Sequence, residues 1–189
     1  MINLRGKTSS YLSFAFQGIE DIPTSSVRKH ADTTTCIDLS CNNFKELHSL
    51  EKFRNLHTAI LDSNAIASNT VFPRLPNLKL ISLNDNKIDN LTLFISRLCE
   101  DVPGLRFLSM MKNDAAPSYF NGGTKQENQD YRYFVISHFP LLESLDGQQV
   151  TEGEKFEAYT VYGQRWKLKD RKMSKFFLPT VPQGSELDE

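Results

Sequence analysis

Residues 81–88 read Ile-Ser-Leu-Asn-Asp-Asn-Lys-Ile, and this stretch decides the fold because its pattern recurs. The pattern is an apolar residue, any residue, an apolar residue, two further residues, an asparagine, one residue and a final apolar residue. It returns at 37–44, 59–66 and 108–115, and successive asparagines lie 22, 22 and 27 residues apart. One such repeat cannot bury its own apolar face, so neighbouring copies must stack to complete a core.

The spacing within each repeat predicts a short strand followed by a turn. Ile81 and Leu83 are two residues apart, so both point into the stack while Ser82 points outward. Asn86 follows at the turn, where its amide can satisfy unpaired backbone groups of adjacent coils. Turn asparagines in unrelated hairpins would explain one copy, but not four in register. The period is that of leucine-rich repeats, and predicts an α/β leucine-rich-repeat solenoid with a curved parallel sheet on the concave face, short helices and turns on the convex face and a helical C-terminal cap.

The composition is that of one ordinary globular domain. The chain has 189 residues, of which 39% are apolar and 24% charged, and its formal net charge is −1. This balance gives no overall attraction to nucleic acid or membranes. No apolar run reaches the ~18 residues of a membrane span, and the N-terminus lacks the apolar core of a signal peptide, so we expect a cytoplasmic protein. Cys36, Cys41 and Cys99 form no short-spaced cluster, which favours reduced structural thiols over a metal site.

The repeat rhythm also divides the chain into segments. Leu12 and Phe14 keep the apolar offsets, and Gln17 stands where the asparagine would be, which indicates a degenerate first repeat. The expected segments are a flexible N-terminus at 1–10, the degenerate repeat at 11–33, regular repeats at 34–127, a cap at 128–160 and a tail at 161–189.

Helices are expected in the longest repeat and in the cap. Asn90 precedes a helical apolar pattern and can cap that helix. Residues 116–129 are rich in turn formers, which predicts the longest loop of the fold, with helical order resuming at Tyr131. Residues 140–146 predict a last short strand. Thr151, followed by Glu154, is a capping-box pattern that predicts a terminal helix covering the exit edge.

The outward positions of the strands form the candidate binding site, because solenoids of this kind bind partners on the concave sheet. Ile60, Leu80, Phe107 and Met111 fall on these positions and predict an apolar cluster with charged neighbours, the composition of a protein-binding centre. The alternative is that the tail or the long loop covers Leu80 or Phe107. The predicted partner-binding residues are Asp38, Ile60, Asp62, Leu80, Asn84, Phe107, Met111 and Asp146.

The tail is a second candidate contact. Residues 165–177 carry six basic residues and one aspartate, a net charge of +5, between Trp166, Phe176 and Phe177. Such a tract can contact phosphates, an anionic membrane or an acidic protein groove. Alternatively, it is a solvated extension whose aromatic residues pack on the cap. The predicted tail contacts are Arg165, Trp166, Lys167, Lys169, Arg171 and Lys172.

No motif of the sequence predicts catalysis or a cofactor. The chain lacks a phosphate-binding glycine loop, a nucleophile elbow and a metal-ligand cluster. Aspartates on a shallow open sheet would exclude little water and have little to shift their pKa values. The sheet also lacks the aromatic platform that reads RNA, so no direct nucleic-acid contact is expected. These observations predict a monomeric, non-catalytic protein that binds a folded protein partner.

The C-terminal part resembles a known family. Residues 131–136, Pro140-x-Leu142-x-x-Leu145-Asp146 and Val150-Thr151 resemble the C-terminal cap of intracellular leucine-rich proteins with 22-residue repeats. This group includes phosphatase-regulating, spliceosomal A-prime and dynein-light-chain members. Residues 61–64, 75–78, 83–88 and 105–151 are most similar to a branch associated with melanocyte differentiation.

The resemblance implies an adaptor in intracellular trafficking, connected with lysosome-related organelles such as melanosomes and engaging a Rab-type small GTPase or a trafficking complex. It leaves a second class of function open, in which the protein is a structural subunit of a ribonucleoprotein or of a phosphatase-regulating complex. An anionic membrane contacted through the tail is a further, weaker possibility.

Overall fold

The computed structural model describes residues 10–118 and 121–163, and within them one sheet runs through every repeat. Its seven strands lie side by side in sequence order. The first six pair in parallel and the last pairs antiparallel. The α/β leucine-rich-repeat solenoid is therefore confirmed. The strands are β1 (Ser10–Ser13), β2 (Thr34–Asp38), β3 (Thr58–Ile60), β4 (Leu80–Ser82), β5 (Phe107–Ser109), β6 (Ser144–Leu145) and β7 (Gln148–Gln149).

The core consists of the inward positions of the strands. The inward pairs of the four regular repeats are all at most 2% exposed, and each pair stacks on the equivalent pair of the next coil. Because each coil supplies only two or three such side chains, the core is continuous along the solenoid. The inward pairs are Ile37 and Leu39, Ala59 and Leu61, Ile81 and Leu83, and Leu108 and Met110.

The recurring asparagines join the coils through buried hydrogen bonds. Asn86 Nδ2 donates to the carbonyl oxygens of Leu83 in its own coil and Leu61 in the preceding coil, each at 3.0 Å. Its Oδ1 accepts from the backbone N–H of Ile66 at 3.1 Å. Asn42, Asn64 and Asn113 make equivalent bonds. The asparagine column is therefore structural, as its register predicted.

Each coil leaves its strand through a residue in the left-handed region. The residue before the asparagine has a φ of +53° to +60° in all four regular repeats, and none of the four is a glycine. Phe16, before Gln17 in the degenerate repeat, has a φ of +61°. This conformation costs a non-glycine residue about 1 kcal/mol. The four residues of the regular repeats are Cys41, Ser63, Asp85 and Lys112.

The helices lie between the strands and in the cap. They are α1 (Thr24–His30), a 3-10 helix (His48–Lys52), α2 (Leu91–Asp101), α3 (Lys125–His138) and α4 (Glu152–Tyr162). Asn90 Oδ1 accepts from the N–H of Leu93, which confirms the predicted cap of α2. The predicted capping box of Thr151 and Glu154 opens α4, and is also confirmed. None of the described helices is long and apolar enough to cross a membrane.

Two expectations for the C-terminal part were wrong. The predicted loop at 116–129 is shorter, because α3 begins at Lys125 behind a capping box of Thr124 and Glu127. The predicted last strand is followed by an antiparallel partner, β7, which sequence analysis missed. Asp146 and Gly147 connect the two strands with φ values of +54° and +75°, as in a two-residue hairpin turn. The flexible N-terminus expected at 1–10 falls almost wholly outside the described residues.

The cap is joined by a buried arginine. Arg132 on α3 is 7% exposed, and its Nε donates to Glu154 Oε1 on α4 at 2.6 Å. Its Nη atoms donate to the carbonyl oxygens of Leu145 at 3.2 Å and Gln149 at 3.5 Å, on β6 and β7. One side chain thus connects both cap helices to the last hairpin. A buried ion pair needs this kind of full hydrogen bonding to offset its desolvation.

Candidate protein-interaction surface

The outward positions of the sheet form two rows that cross the strands. Because neighbouring strands are roughly 4.8 Å apart, side chains in one row are in reach of each other. The first row is Tyr11, Cys36, Thr58, Leu80, Phe107 and Ser144, and the second is Ser13, Asp38, Ile60, Ser82 and Ser109.

The predicted apolar cluster is partly assembled by this register. Leu80 and Phe107 are direct neighbours in the first row, and Ile60 lies diagonally from Leu80 in the second. Phe107 is 37% exposed and Met111, beyond the end of β5, is 46% exposed. Leu80 and Ile60 are half-buried. The sheet therefore offers an apolar centre to a partner, in which Phe107 and Met111 are the most accessible side chains.

Tyr11 belongs to this surface, although sequence analysis did not select it. It is 59% exposed in the first row, and its hydroxyl donates to Asp38 Oδ2 at 2.9 Å. Asp38 Oδ1 accepts from the N–H and hydroxyl of Ser40 at 3.0 and 2.6 Å. Burial alone would raise the pKa of Asp38, but the bonds from Ser40 and Tyr11 outweigh it and lower that pKa. The signal for Tyr11 was its place one residue before the core residue Leu12.

Asp62 and Asn84 make lateral bonds as well as lining the surface. Asp62 Oδ1 accepts from the hydroxyl of Ser82 at 2.6 Å and the N–H of Asn84 at 2.8 Å, both in the next coil. Asn84 Oδ1 accepts in turn from the hydroxyl of Ser109 at 2.7 Å and the N–H of Met111 at 2.9 Å. These bonds fix the rim of the sheet, and both side chains remain half-exposed.

Asp146 lies in the hairpin turn and is bonded from two sides. Its Oδ1 accepts from the N–H of Met110 at 2.7 Å, and its Oδ2 accepts from the hydroxyl of Tyr131 at 2.8 Å. Burial raises the pKa of Asp146, against the opposing effects of these bonds and of the Arg132 charge. Burial beside Asp146 also raises the pKa of Tyr131 well above its usual value. The carboxylate holds α3 against β5 and β6.

The two edges of the sheet carry different charges. His57, Lys79 and Arg106 lie in register before the first row, at the amino ends of the strands. Arg106 forms an ion pair with Glu143. Asp62 and Asp85 lie at the carboxyl ends. Residues 10–163 contain 14 Lys and Arg against 19 Asp and Glu, so this part has a net charge of −5.

A concavity of about 830 Å³ opens beside this acidic edge. Its lining includes Asp62, Asp85, Met111 and Lys112 from the strand ends and Asn128 from α3. Lys125, Asp146 and Gln148 contribute as well. The opening is large enough for an aromatic side chain and its neighbours, and it is continuous with the apolar centre through Met111.

A family model described as leucine-rich repeat matches residues 19–174, which is most of the chain. The chain belongs to the leucine-rich-repeat family. Such domains are protein-interaction modules that use an extended concave surface. The assignment by resemblance is thereby confirmed.

The curated relatives of this leucine-rich-repeat protein fall into two groups. Human leucine-rich melanocyte differentiation-associated protein is 38% identical over 119 residues, which cover 62% of this chain and 60% of the relative. The U2 small nuclear ribonucleoprotein A′ of Schizosaccharomyces pombe is 29% identical over 136 residues, which cover 70% of this chain and 52% of the relative. The chain thus spans little more than half the length of these relatives.

A solved structure shows the same fold. The Drosophila melanogaster SNF/U2A′ complex contains a chain that superposes with a TM-score of 0.64, covering 87% of this chain and 84% of that chain at 20% identity. At this identity the likeness concerns the fold alone.

The remaining predictions concern the tail and the cysteines. The predicted tail contacts, from Arg165 to Lys172, lie outside the residues that the structure describes. Cys36, Cys41 and Cys99 are free and half-buried. Across 10–118 and 121–163, no three His, Cys, Asp or Glu side chains come together as a metal site would require.

Proposed function

We propose that this leucine-rich-repeat protein is a non-catalytic adaptor that binds a folded protein partner on its concave face. The observation that supports this most strongly is the exposure of Phe107 and Met111 on a sheet surface next to Leu80. Large apolar side chains at the centre of an interface supply most of its affinity. Here they are held by strands whose other face is fully buried, so the site is rigid before a partner arrives.

The surroundings of the apolar centre support a specific rather than a promiscuous interface. Basic residues lie at one edge of the sheet and acidic residues at the other, so only one orientation of a charged partner is favourable. Asp62 and Asn84 are fixed by hydrogen bonds to the next coil. Such groups lose little conformational entropy when they contact a partner.

The test replaces the apolar centre by charge. A Leu80→Asp/Phe107→Asp double variant should abolish the capture of the partner in affinity purification. Its matched control is Val71→Asp/Leu93→Asp, because Val71 (49% exposed) and Leu93 (36% exposed) are also accessible apolar residues but lie outside the sheet. The control should retain the partner.

Thermal unfolding decides how the result is interpreted. Exposed substitutions usually change the free energy of unfolding by less than about 0.5 kcal/mol, so the double variant should unfold within a few degrees of the wild type. If it keeps the partner while remaining folded, the concave face is not the site.

The cellular setting that we favour is intracellular trafficking in the cytoplasm, around lysosome-related organelles such as melanosomes. The support is the 38% identity to the human protein associated with melanocyte differentiation. A Rab-type small GTPase or a trafficking complex is the partner that the family resemblance implies. Purification of the protein with and without the concave substitutions, followed by identification of the proteins lost, tests this setting.

A second candidate function is that of a structural subunit of a ribonucleoprotein. It is favoured by the similarity to the fission yeast A′ protein of the U2 small nuclear ribonucleoprotein. Such a role would act through a protein partner, because the outward rows carry no aromatic platform for RNA bases. Recovery of small nuclear RNA with the wild type, and its loss with the concave variant, would support this function over trafficking.

A further inference from the structure

We propose that the basic tail of this chain docks into its own concavity, with Trp166 inserted beside Met111 and the neighbouring cations facing Asp62 and Asp85. The tail would then be an internal competitor of any concave-face partner. That consequence rests on the proposed function, whereas the docking itself does not.

Charge complementarity is the first argument. Residues 10–163 carry a net charge of −5, and residues 165–177 carry +5. The concavity lies at the acidic edge, with Asp62 half-buried and Asp85 exposed in its lining. Lys112 and Lys125 also line it, so the attraction is specific to the side that the two aspartates form. A tethered partner needs little affinity, because a short linker holds it at a millimolar effective concentration.

Chemical fit is the second argument. The lining combines Met111, Ala116 and Pro117 with polar side chains, which suits an indole that has a large apolar body and one N–H donor. Thioether sulfur makes favourable contacts with aromatic rings. Trp166 is the single tryptophan of the chain, and basic residues stand on both sides of it.

The place where the tail begins is the third argument. Tyr162, at the end of α4, contacts the ring of Phe134 on α3 with centroids 5.5 Å apart. Asn128, in the lining, lies six residues before Phe134, about 9 Å along the helix axis. From Gly163, three extended residues reach about 10 Å. Trp166 can therefore reach the concavity without any change in the described fold.

Fluorescence of Trp166 in the full-length protein reports the docking directly. We expect a blue-shifted emission and weaker quenching by acrylamide than in the urea-unfolded chain. Rising salt should shift both values towards those of the unfolded chain, because ionic strength screens the attraction. A version ending at Gly163 should lack this signal altogether and, if a concave-face partner is in hand, should bind it more tightly.

Charge reversal at Asp85 separates docking in the concavity from packing elsewhere. Asp85→Lys is tolerated by the backbone, because Lys112 occupies the equivalent left-handed position of the next coil. It should weaken docking about fivefold, as expected for an exposed pair of charges. Adding Arg165→Glu and Lys167→Glu to that variant should restore the protection of Trp166. The matched control is Glu46→Lys, an exposed charge reversal outside the concave face, and should change nothing.

Three results would overturn the proposal. In the first, Trp166 is as accessible in the native protein as in urea. In the second, it is protected but indifferent to salt and to Asp85→Lys, which places the tail against the cap. In the third, it is accessible in buffer and becomes protected only on vesicles that contain phosphatidylserine, which makes the tail a membrane contact. None of these results bears on the concave partner site, which the Leu80 and Phe107 variant tests separately.

Discussion

The regular repeats and the cap satisfy their buried polar groups in opposite ways. In the repeats, one neutral side chain, the asparagine, performs the same task in four successive coils. In the cap, ionisable side chains that occur once, Arg132, Glu154, Tyr131 and Asp146, hold two helices and a hairpin together. The difference teaches that repetition distributes stability over equivalent bonds, whereas the end of a solenoid depends on single contacts that respond to pH.

The largest effect should come from removing the cap. Deletion of residues 131–189 exposes the apolar edge formed by Leu108 and Met110, which are buried in the intact protein. We expect aggregation, or loss of a cooperative urea transition, measured by size-exclusion chromatography and circular dichroism. The control, deletion of 164–189 alone, should unfold cooperatively. A cooperative, monomeric protein without the cap would show that the repeats close their own edge.

A substitution in the asparagine column should have the next largest effect. Asn86→Ala leaves the carbonyl oxygens of Leu61 and Leu83 and the N–H of Ile66 without their side-chain partner. Because each buried unsatisfied group costs about 1–3 kcal/mol, the free energy of unfolding should fall by about 3 kcal/mol or more. Asn43→Ala is the control, since the Asn43 amide donates only to Gly18 at the exposed surface, and should change it by under about 0.5 kcal/mol. Equal effects of the two variants in denaturant titrations would contradict a structural column.

Breaking the arginine of the cap should cost slightly less. Arg132→Met keeps the length of the side chain but leaves Glu154 and two hairpin carbonyls without their donor. We expect a loss of about 3 kcal/mol, since removal of one partner of a buried pair leaves an uncompensated charge. Lys155→Met is the matched control, because the pair of Lys155 with the exposed Glu152 is worth under about 0.5 kcal/mol. A loss as small as that of the control would place the stability of the cap in its apolar contacts.

The smallest effect should be a change in pH dependence at Asp146. Burial raises its folded pKa above the unfolded value near 3.8, so the native state binds more protons in this window. The stability that this group contributes is therefore present at low pH and is lost as pH rises through the folded pKa. Asp146→Asn removes the titration while keeping a residue that suits the hairpin turn before Gly147.

Denaturant titrations from pH 3 to pH 7 measure the effect. The stability of Asp146→Asn relative to the wild type should be lowest at pH 3 and increase towards pH 7. Glu154→Gln should show the reverse trend: although burial acts to raise the pKa of Glu154, the bonds from Arg132 and Thr151 outweigh it and lower that pKa. A pH-independent difference for Asp146→Asn would show that its carboxylate is not destabilised in the native cap.

The sequence predicted what repeats, and failed on what occurs once. Register alone identified the buried pairs, the asparagine bonds and the cap of α2 at Asn90, because four copies of one pattern average out local exceptions. The start of α3 was missed, although Thr124 and Glu127 have capping-box spacing, because Gly122 and Gly123 favoured a loop. The hairpin of β6 and β7 also had a signal, Asp146 followed by Gly147, which was interpreted instead as the end of the last strand.

For the candidate surface, sequence analysis gave the face but not the neighbours. Alternation places Asp62 and Asn84 on the outward side, and the structure shows that both also bond to the next coil. A one-dimensional pattern contains no information on which groups of an adjacent coil lie within 3 Å. Tyr11 was missed for the same reason, since its place in the first row depends on how β1 pairs with β2.

The backward direction of the asparagine bonds has a consequence for synthesis on the ribosome. Asn64 donates to Leu39 and accepts from Phe44, both of which belong to the coil made before it. Each emerging coil therefore keeps unpaired backbone groups until the next asparagine leaves the exit tunnel. At about 5–20 residues per second, a spacing of 22 residues means a delay of roughly one to four seconds. The nascent chain is thus always one coil short of completion, and only the cap, which is translated last, ends this succession of open edges.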